Sequence, residues 1–176
     1  MISAVNQIQQ GTELVNQKQL ELTEHLSGKS VEKEINQLKA ERDKYNIDSD
    51  EWKVANEAIK TTEKTAEAIK DASNYVTFNR NADGTVTADY KQDEIEKARA
   101  SGELTSEKFN EIQQWVEEAT TISGEIQEAI ATNVSNITEL YTALGDLRQQ
   151  YADSAKELRE AYGAQQQKVI DNLKSV

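Results

Sequence analysis

The sequence predicts an all-α protein whose long N- and C-terminal amphipathic helices pair as a coiled coil, with a small central β-hairpin. Three observations predict this class. The 176-residue chain contains no proline, the residue that breaks helix interiors. Leu, Ile, Val and Phe make up only about a fifth of a chain with net charge −12, too little for a large monomeric core. The apolar residues recur at helical intervals in narrow stripes, which must be buried against each other or against a partner.

Residues 1–74 are predicted to form an N-terminal helical arm of three helices. The first carries its apolar residues at three-, four- or seven-residue intervals and ends at Ser27-Gly28. Asp48 precedes Glu51 by three residues, which predicts that Asp48 caps the third helix. We expect the stripe of the first helix to be an assembly interface, formed by Ile2, Val5, Ile8, Val15 and Leu22.

Residues 75–104 are predicted to form a central hairpin followed by a short helix. Two β-branched and aromatic runs, 75–78 and 85–87, flank a stretch of turn-forming residues at 79–84. The short helix covers 94–100 and ends at Ser101-Gly102. We expect the hairpin to lie outside the coiled coil.

Residues 105–176 are predicted to form one long C-terminal helix, capped by Thr105 or Ser106. Its apolar positions from Phe109 to Tyr162 have a mean spacing of about 3.5 residues, which is typical of a left-handed coiled coil. A helix of about 80 Å cannot bury such a stripe alone. Its three tyrosines are either core residues or a row of contacts for another subunit. The expected interface comprises Ile126, Ile130, Val134, Ile137, Tyr141, Leu144, Tyr151, Leu158 and Tyr162.

The composition excludes several classes of site and partner. Without cysteine the chain has no disulfide, thiolate metal site or cysteine nucleophile, and one histidine cannot supply a multi-histidine zinc site. The excess of 32 acidic over 20 basic residues argues against nucleic acid and anionic membranes as partners. No apolar run approaches the ~20 residues of a membrane span. We therefore expect no cofactor, no nucleic-acid partner and no membrane span, and any export by a route other than a cleaved signal peptide.

The turn of the predicted hairpin is a candidate calcium site. Asn79, Asn81 and Asp83 followed by Gly84 match the first ligand positions of an EF-hand loop. The twelfth position, which should be a bidentate glutamate, is Tyr90. A plain polar turn explains the same residues, because Asn, Asp and Gly all tolerate left-handed backbone. We predict the plain turn.

No catalytic set is predicted. His25 is expected to be a packed or solvent-facing side chain, since no nucleophile and acid can be assembled around it. The carboxylate pairs Glu117-Glu118 and Asp93-Glu94 are expected to be solvated helix faces rather than acid–base catalysts. The sequence therefore predicts that the protein is not an enzyme.

The order of elements over 75–162 resembles that of a family. Turns, followed by a helix rich in Gln, Asn, Thr and Ile, carry the resemblance. The positions are Asp83-Gly84, Asp89-Tyr90, Gly102-Glu103-Leu104, Phe109-Asn110-Glu111-Ile112, Ile126-Gln127, Ile130, Asn133, Ile137, Leu140 and Leu144. They resemble the hydrophilic translocators of bacterial type III secretion, the EspA/SseB-type filament and needle-tip proteins. The first helix lacks the strongly apolar stretch of that family, and the tail from Gly163 onward extends past its usual end.

The resemblance implies a secreted, self-associating subunit that forms a filament or tip and lines a conduit for protein export. It implies as partners a second copy, a secretion chaperone before export, and needle and translocator proteins. Two alternatives remain open: a soluble component of an α-helical pore-forming toxin, and a phage or cell-surface coiled-coil spacer. A spacer would lack the central hairpin.

Overall fold

Helices dominate the computed structural model, which describes residues 2–175, and one two-stranded antiparallel hairpin interrupts them. The predicted helical class and the hairpin are confirmed. The elements follow in the order α1 (Ile2–Leu26), α2 (Lys29–Arg42), α3 (Asp50–Asp71), a 3-10 turn (Ala72–Asn74), β1 (Val76–Arg80), β2 (Val86–Tyr90), α4 (Gln92–Ser101) and α5 (Ser106–Lys174).

Tertiary contacts divide the chain into two compact units. One spans Gly11–Ala131, and the other joins Met1–Gln10 to Thr132–Val176. Both α1 and α5 contribute to each unit. This division follows contacts, whereas the sequence segments 1–74, 75–104 and 105–176 follow the order of elements.

The core of the Gly11–Ala131 unit consists of two apolar clusters that share α5. In the first, the end of α3, the start of β1 and α4 pack on Ile112, Trp115 and Val116 of α5. In the second, Leu22 of α1 and Val86 of β2 pack on α5 one to three turns further along. One face of α5 therefore supports every other element of this core except α2. The α5 residues of the second cluster are Ala119, Ile122 and Ile126.

Local backbone chemistry explains where the helices begin and end. Gly28 lies in the left-handed region at φ 80°, which separates α1 from α2 as the sequence predicts. The predicted cap at Asp48 is wrong: Asp48 adopts φ 66°, and the hydroxyl of Ser49 accepts the Trp52 amide at 3.2 Å. Ser49 reaches the first turn because it has the extended backbone of an N-cap residue.

The predicted cap of the long helix is confirmed, and its three interior glycines do not break it. The Thr105 hydroxyl accepts the Lys108 amide at 3.1 Å. The helix then runs for 69 residues through Gly124, Gly145 and Gly163. A Cβ added at any of these glycines would have open space around it. Packing therefore does not require these glycines.

The hairpin packs against both long helices, so the expectation that it lies outside their pairing is wrong. Val86 donates its buried amide to the Ser123 hydroxyl of α5 at 2.9 Å. The Gln19 side chain of α1 donates to the Asp83 carbonyl at 2.9 Å. A two-stranded ribbon is marginal in water, so its apolar face needs such cover. The strands pair in the register Val76↔Tyr90 to Arg80↔Val86.

Candidate assembly surfaces

In the Gly11–Ala131 unit, α1 lies antiparallel to the first half of α5. The His25 ring bonds the Trp115 carbonyl, and Lys18 lies seven residues earlier on α1 but contacts Glu125, ten residues later on α5. Leu22, between them, is fully buried. The predicted interface residues Leu22 and Ile126 therefore meet in one core cluster.

The ammonium of Lys18 occupies the α1–α5 contact. It lies 2.6 Å from a carboxylate oxygen of Glu125 and 3.1 Å from one of Glu21. The hydrogen bond to Glu125 is the largest cause that raises the pKa of Lys18 above its usual value. A charged residue at a helix–helix contact favours one register, because any shift separates the pair.

On α1, seven of the ten positions with reduced exposure alternate at intervals of four and three residues, and Gln19, Glu24 and Leu26 are the other three. This alternation is the pattern of a heptad seam. Gly11 and Lys18 were not predicted as members of the seam because they are not large apolar residues, although their spacing alone indicates these positions. The seven alternating positions are Ala4, Ile8, Gly11, Val15, Lys18, Leu22 and His25.

In the unit that contains the first ten residues, the predicted interface is covered only in part. Ile8 of α1 and Ile137 and Leu144 of α5 are half-buried. Ile2, Val5 and Val134 are exposed. Of the remaining predicted positions, Val15 and Ile130 are half-buried, and Tyr141, Tyr151, Leu158 and Tyr162 are exposed.

Residues 144–173 of α5 carry an apolar line that we call the distal stripe. Most of its side chains are exposed: Tyr151 is 80% and Leu158 72% accessible. At 3.6 residues per turn, all its members point within about 40° of one direction. Val169 and Leu173, beyond the predicted interface, extend the line. The distal stripe consists of Leu144, Leu147, Tyr151, Ala155, Leu158, Tyr162, Val169 and Leu173.

The charges around the distal stripe are distributed unevenly. Arg148 and Arg159 border one edge, about 60–80° from its centre. Every acidic residue between 145 and 175 falls within about 60° of the opposite direction. The stripe is therefore bordered by positive charge and backed by negative charge. The acidic residues are Asp146, Asp153, Glu157, Glu160 and Asp171.

A second surface with an apolar floor lies between α2 and α3, and we call it the α2–α3 groove. Its volume is about 820 Å³. Four carboxylates and two lysines line it together with apolar side chains that are mostly half-buried. It is therefore an acidic groove with incompletely covered apolar groups. The apolar side chains are Leu26, Val31, Ile35, Ala66 and Ile69, and the charged ones are Glu32, Glu63, Glu67, Asp71, Lys39 and Lys70.

The side chains of the three candidate calcium residues each form hydrogen bonds with a residue of the hairpin instead of converging on one point. Asn79 donates to the Asp89 carboxylate at 2.7 Å, and Asn81 donates to the Thr85 hydroxyl at 2.9 Å. One Asp83 oxygen accepts both the hydroxyl and the amide of Thr85. The hydroxyl is the larger cause that holds the pKa of Asp83 below its usual range. These contacts are those of a closed turn in which each side chain serves the hairpin.

His25 is buried, and the polar groups that face its two ring nitrogens both belong to α5. Its Nε2 lies 2.8 Å from the Trp115 carbonyl, and its Nδ1 lies 3.9 Å from a Glu118 oxygen. Among residues 2–175, no three or more His, Asp or Glu side chains are grouped so as to hold a metal. The ring therefore has a packing role, consistent with the packed alternative in the sequence.

None of the helices within residues 2–175 combines the length and apolar character that crossing a bilayer requires. Comparison of the chain with protein-family models, curated proteins and solved structures found no match.

Proposed function

We propose that the chain is a non-catalytic structural subunit that associates with further copies through the distal stripe. The exposure of this stripe is the observation that carries the proposal. Exposed apolar lines of this kind mark interaction surfaces, because burying each large side chain gains roughly 1.5–3 kcal/mol. From Leu144 to Leu173 the line extends about 44 Å along the helix.

The proposal includes a coiled coil between α1 and α5. The four-and-three alternation of covered positions on α1 supports it, as does the cluster of Leu22 with Ile122 and Ile126. In this arrangement α1 covers the first part of the α5 seam. The distal stripe then remains for a partner.

The biological setting that we propose is a type III secretion apparatus, with the chain as a filament subunit or needle-tip component. Its support is the resemblance described above, together with the order of long helix, hairpin and long helix. In this setting the protein is secreted, is held by a chaperone before export, and contacts needle and translocator proteins. The hairpin, with its buried Val86, distinguishes the chain from a simple coiled-coil spacer.

Self-association is tested with a stripe variant and a matched control. In the stripe variant, Leu158, Tyr162 and Leu173 are each replaced by Gln, a good helix former that cannot fill an apolar seam. We expect association to weaken by more than about a thousandfold, since each change loses roughly 1.5–3 kcal/mol. The control replaces Asp153, Glu160 and Asp171 by Gln on the opposite face.

Sedimentation velocity over a concentration series and negative-stain microscopy provide the measurements. The wild type and the control should form species larger than one chain, and fibres of uniform width would support the filament form. A wild type that stays monomeric at high concentration would refute the proposed function. Equal association of the stripe variant and the wild type would place the interface elsewhere.

A further inference from the structure

The border of the distal stripe provides no ion pairs between two stripes that face each other. In a parallel pair of stripes, the edge that carries Arg148 and Arg159 would face the opposite edge of the partner, where no acidic residue lies because all of them are on the back of the helix. In an antiparallel pair centred on Leu158, Arg159 would lie beside its own copy. Like charges brought together at a seam weaken pairing and select a different partner. The stripe therefore suits an apolar surface with an acidic border.

The α2–α3 groove has this combination. Glu63 already bonds Lys39 at 3.4 Å, and Asp71 bonds Lys108. The side chains of Glu32 and Glu67, by contrast, are exposed and form no salt bridge or hydrogen bond among residues 2–175, although Glu67 acts on Lys108 at longer range. Two carboxylates of the groove are thus available to basic side chains from outside the chain.

We propose that the distal stripe of one copy docks in the α2–α3 groove of a second copy, with Arg148 and Arg159 against Glu32 and Glu67. This inference rests on the proposed self-association and names the surface that receives the stripe. The two surfaces differ, so the contact is head-to-tail rather than symmetric. Each added copy presents a free stripe or a free groove, and a contact of this kind grows into an open chain of subunits unless its geometry closes a ring.

Two charge-reversal variants test the pairing of surfaces. The edge variant carries Arg148→Glu and Arg159→Glu, and the groove variant carries Glu32→Lys and Glu67→Lys. All four side chains lie outside the apolar clusters of the core, so circular dichroism should show an unchanged fold. We expect each variant alone to associate at least about tenfold more weakly than wild type at 0.15 M salt.

Combining the two reversals restores complementarity. A chain with all four changes should regain association, and so should a mixture of the two variants, because each stripe then meets an oppositely charged groove. The control carries Glu13→Lys and Glu96→Lys, which shift the net charge by the same amount as the groove variant at exposed positions. It should associate like the wild type.

Sedimentation velocity separates this inference from the proposed function. If the Gln variant of the stripe loses association but the groove variant keeps it, self-association stands and the docking inference is overturned. If the edge variant associates more tightly than wild type, the stripes pair with each other and the inference is overturned as well. Rescue by the four-change chain and by the mixture, absent from the control, supports docking in the groove.

Discussion

His25 and Trp115 hydrogen-bond each other in both directions across the α1–α5 contact. The His25 Nε2 lies 2.8 Å from the Trp115 carbonyl oxygen, and the Trp115 indole donates to the His25 carbonyl at 3.1 Å. Because a carbonyl can only accept, Nε2 carries the proton. Their rings stack with centroids 5.8 Å apart, and the Phe78 and Trp115 rings are perpendicular with centroids 5.2 Å apart. One side-chain pair thus joins α1, α5 and the hairpin.

The reciprocal pair should stabilise the Gly11–Ala131 unit. His25→Ala removes one bond and leaves the buried space of a ring, and we expect a loss of about 2–3 kcal/mol in the free energy of unfolding. Trp115→Phe keeps most of the ring but removes the donor, and should cost about 1–2 kcal/mol. Urea unfolding measures both, with exposed Gln113→Ala as the control. A loss below about 0.5 kcal/mol for His25→Ala would contradict the packing role of the ring.

The Lys18–Glu125 pair should make stability depend on alkaline pH. Bonding to Glu125 raises the pKa of Lys18 in the folded state above its unfolded value of about 10.4. The contribution of the pair is therefore complete below that pH and is lost as the pH rises through the folded pKa. Between pH 8 and 12, the free energy of unfolding should fall more steeply with pH for the wild type than for Lys18→Met. Lys53→Met, at an exposed site on α3, is the control and should follow the wild type.

Two glycines should respond to alanine in opposite directions. Gly84 has φ 85°, and an added Cβ would lie 2.5 Å from the Gln19 amide nitrogen. Gly84→Ala should therefore destabilise the chain by about 1–2 kcal/mol. Gly145 lies in helical backbone with open space around it, so Gly145→Ala should increase helix stability by about 0.5–1 kcal/mol. Thermal unfolding of both variants checks the signs, and equal effects would contradict the docking of the turn on α1.

Asp83 should couple the hairpin turn to acidic pH. Hydrogen bonds from Thr85 lower the pKa of Asp83, so its stabilising effect is present above the unfolded pKa of about 3.9 and is lost as the pH falls through the folded pKa. Asp83→Ala should therefore be less stable than wild type at pH 7 and should approach it as the pH falls through the folded pKa of Asp83, with exposed Glu96→Ala as the control. A rise in melting temperature with calcium that Asp83→Ala abolishes would instead establish the calcium loop.

Local features of the fold follow from the sequence, and long-range ones do not. The break between α1 and α2 at Gly28, the cap at Thr105 and the two strands each depend on a few neighbouring residues, which is why their positions are predictable. The docking of Val86 on Ser123 joins residues 37 apart in sequence, and no periodicity records such a contact.

The candidate surfaces show the same division. The sequence predicts the distal stripe because its members share one helical period. The exposure of these side chains is not predictable from the sequence and is seen only in the structure. The α2–α3 groove escaped notice because its apolar and acidic side chains come from α1, α2 and α3. The seam position of Lys18 is not predicted, because apolar periodicity does not identify a charged residue within a seam.

The exposure of the distal stripe has a consequence for how the end of α5 melts. A helix of about 30 residues that buries little apolar surface depends on intrinsic propensity, which is marginal in water. Amide hydrogens after Leu144 should therefore exchange with solvent faster than those near Ile126, and faster still toward Lys174. If a partner binds only the helical form, the free energy of binding also stabilises the helix against unfolding. Helix content then rises with protein concentration, and on dilution α5 unfolds from its C-terminal end.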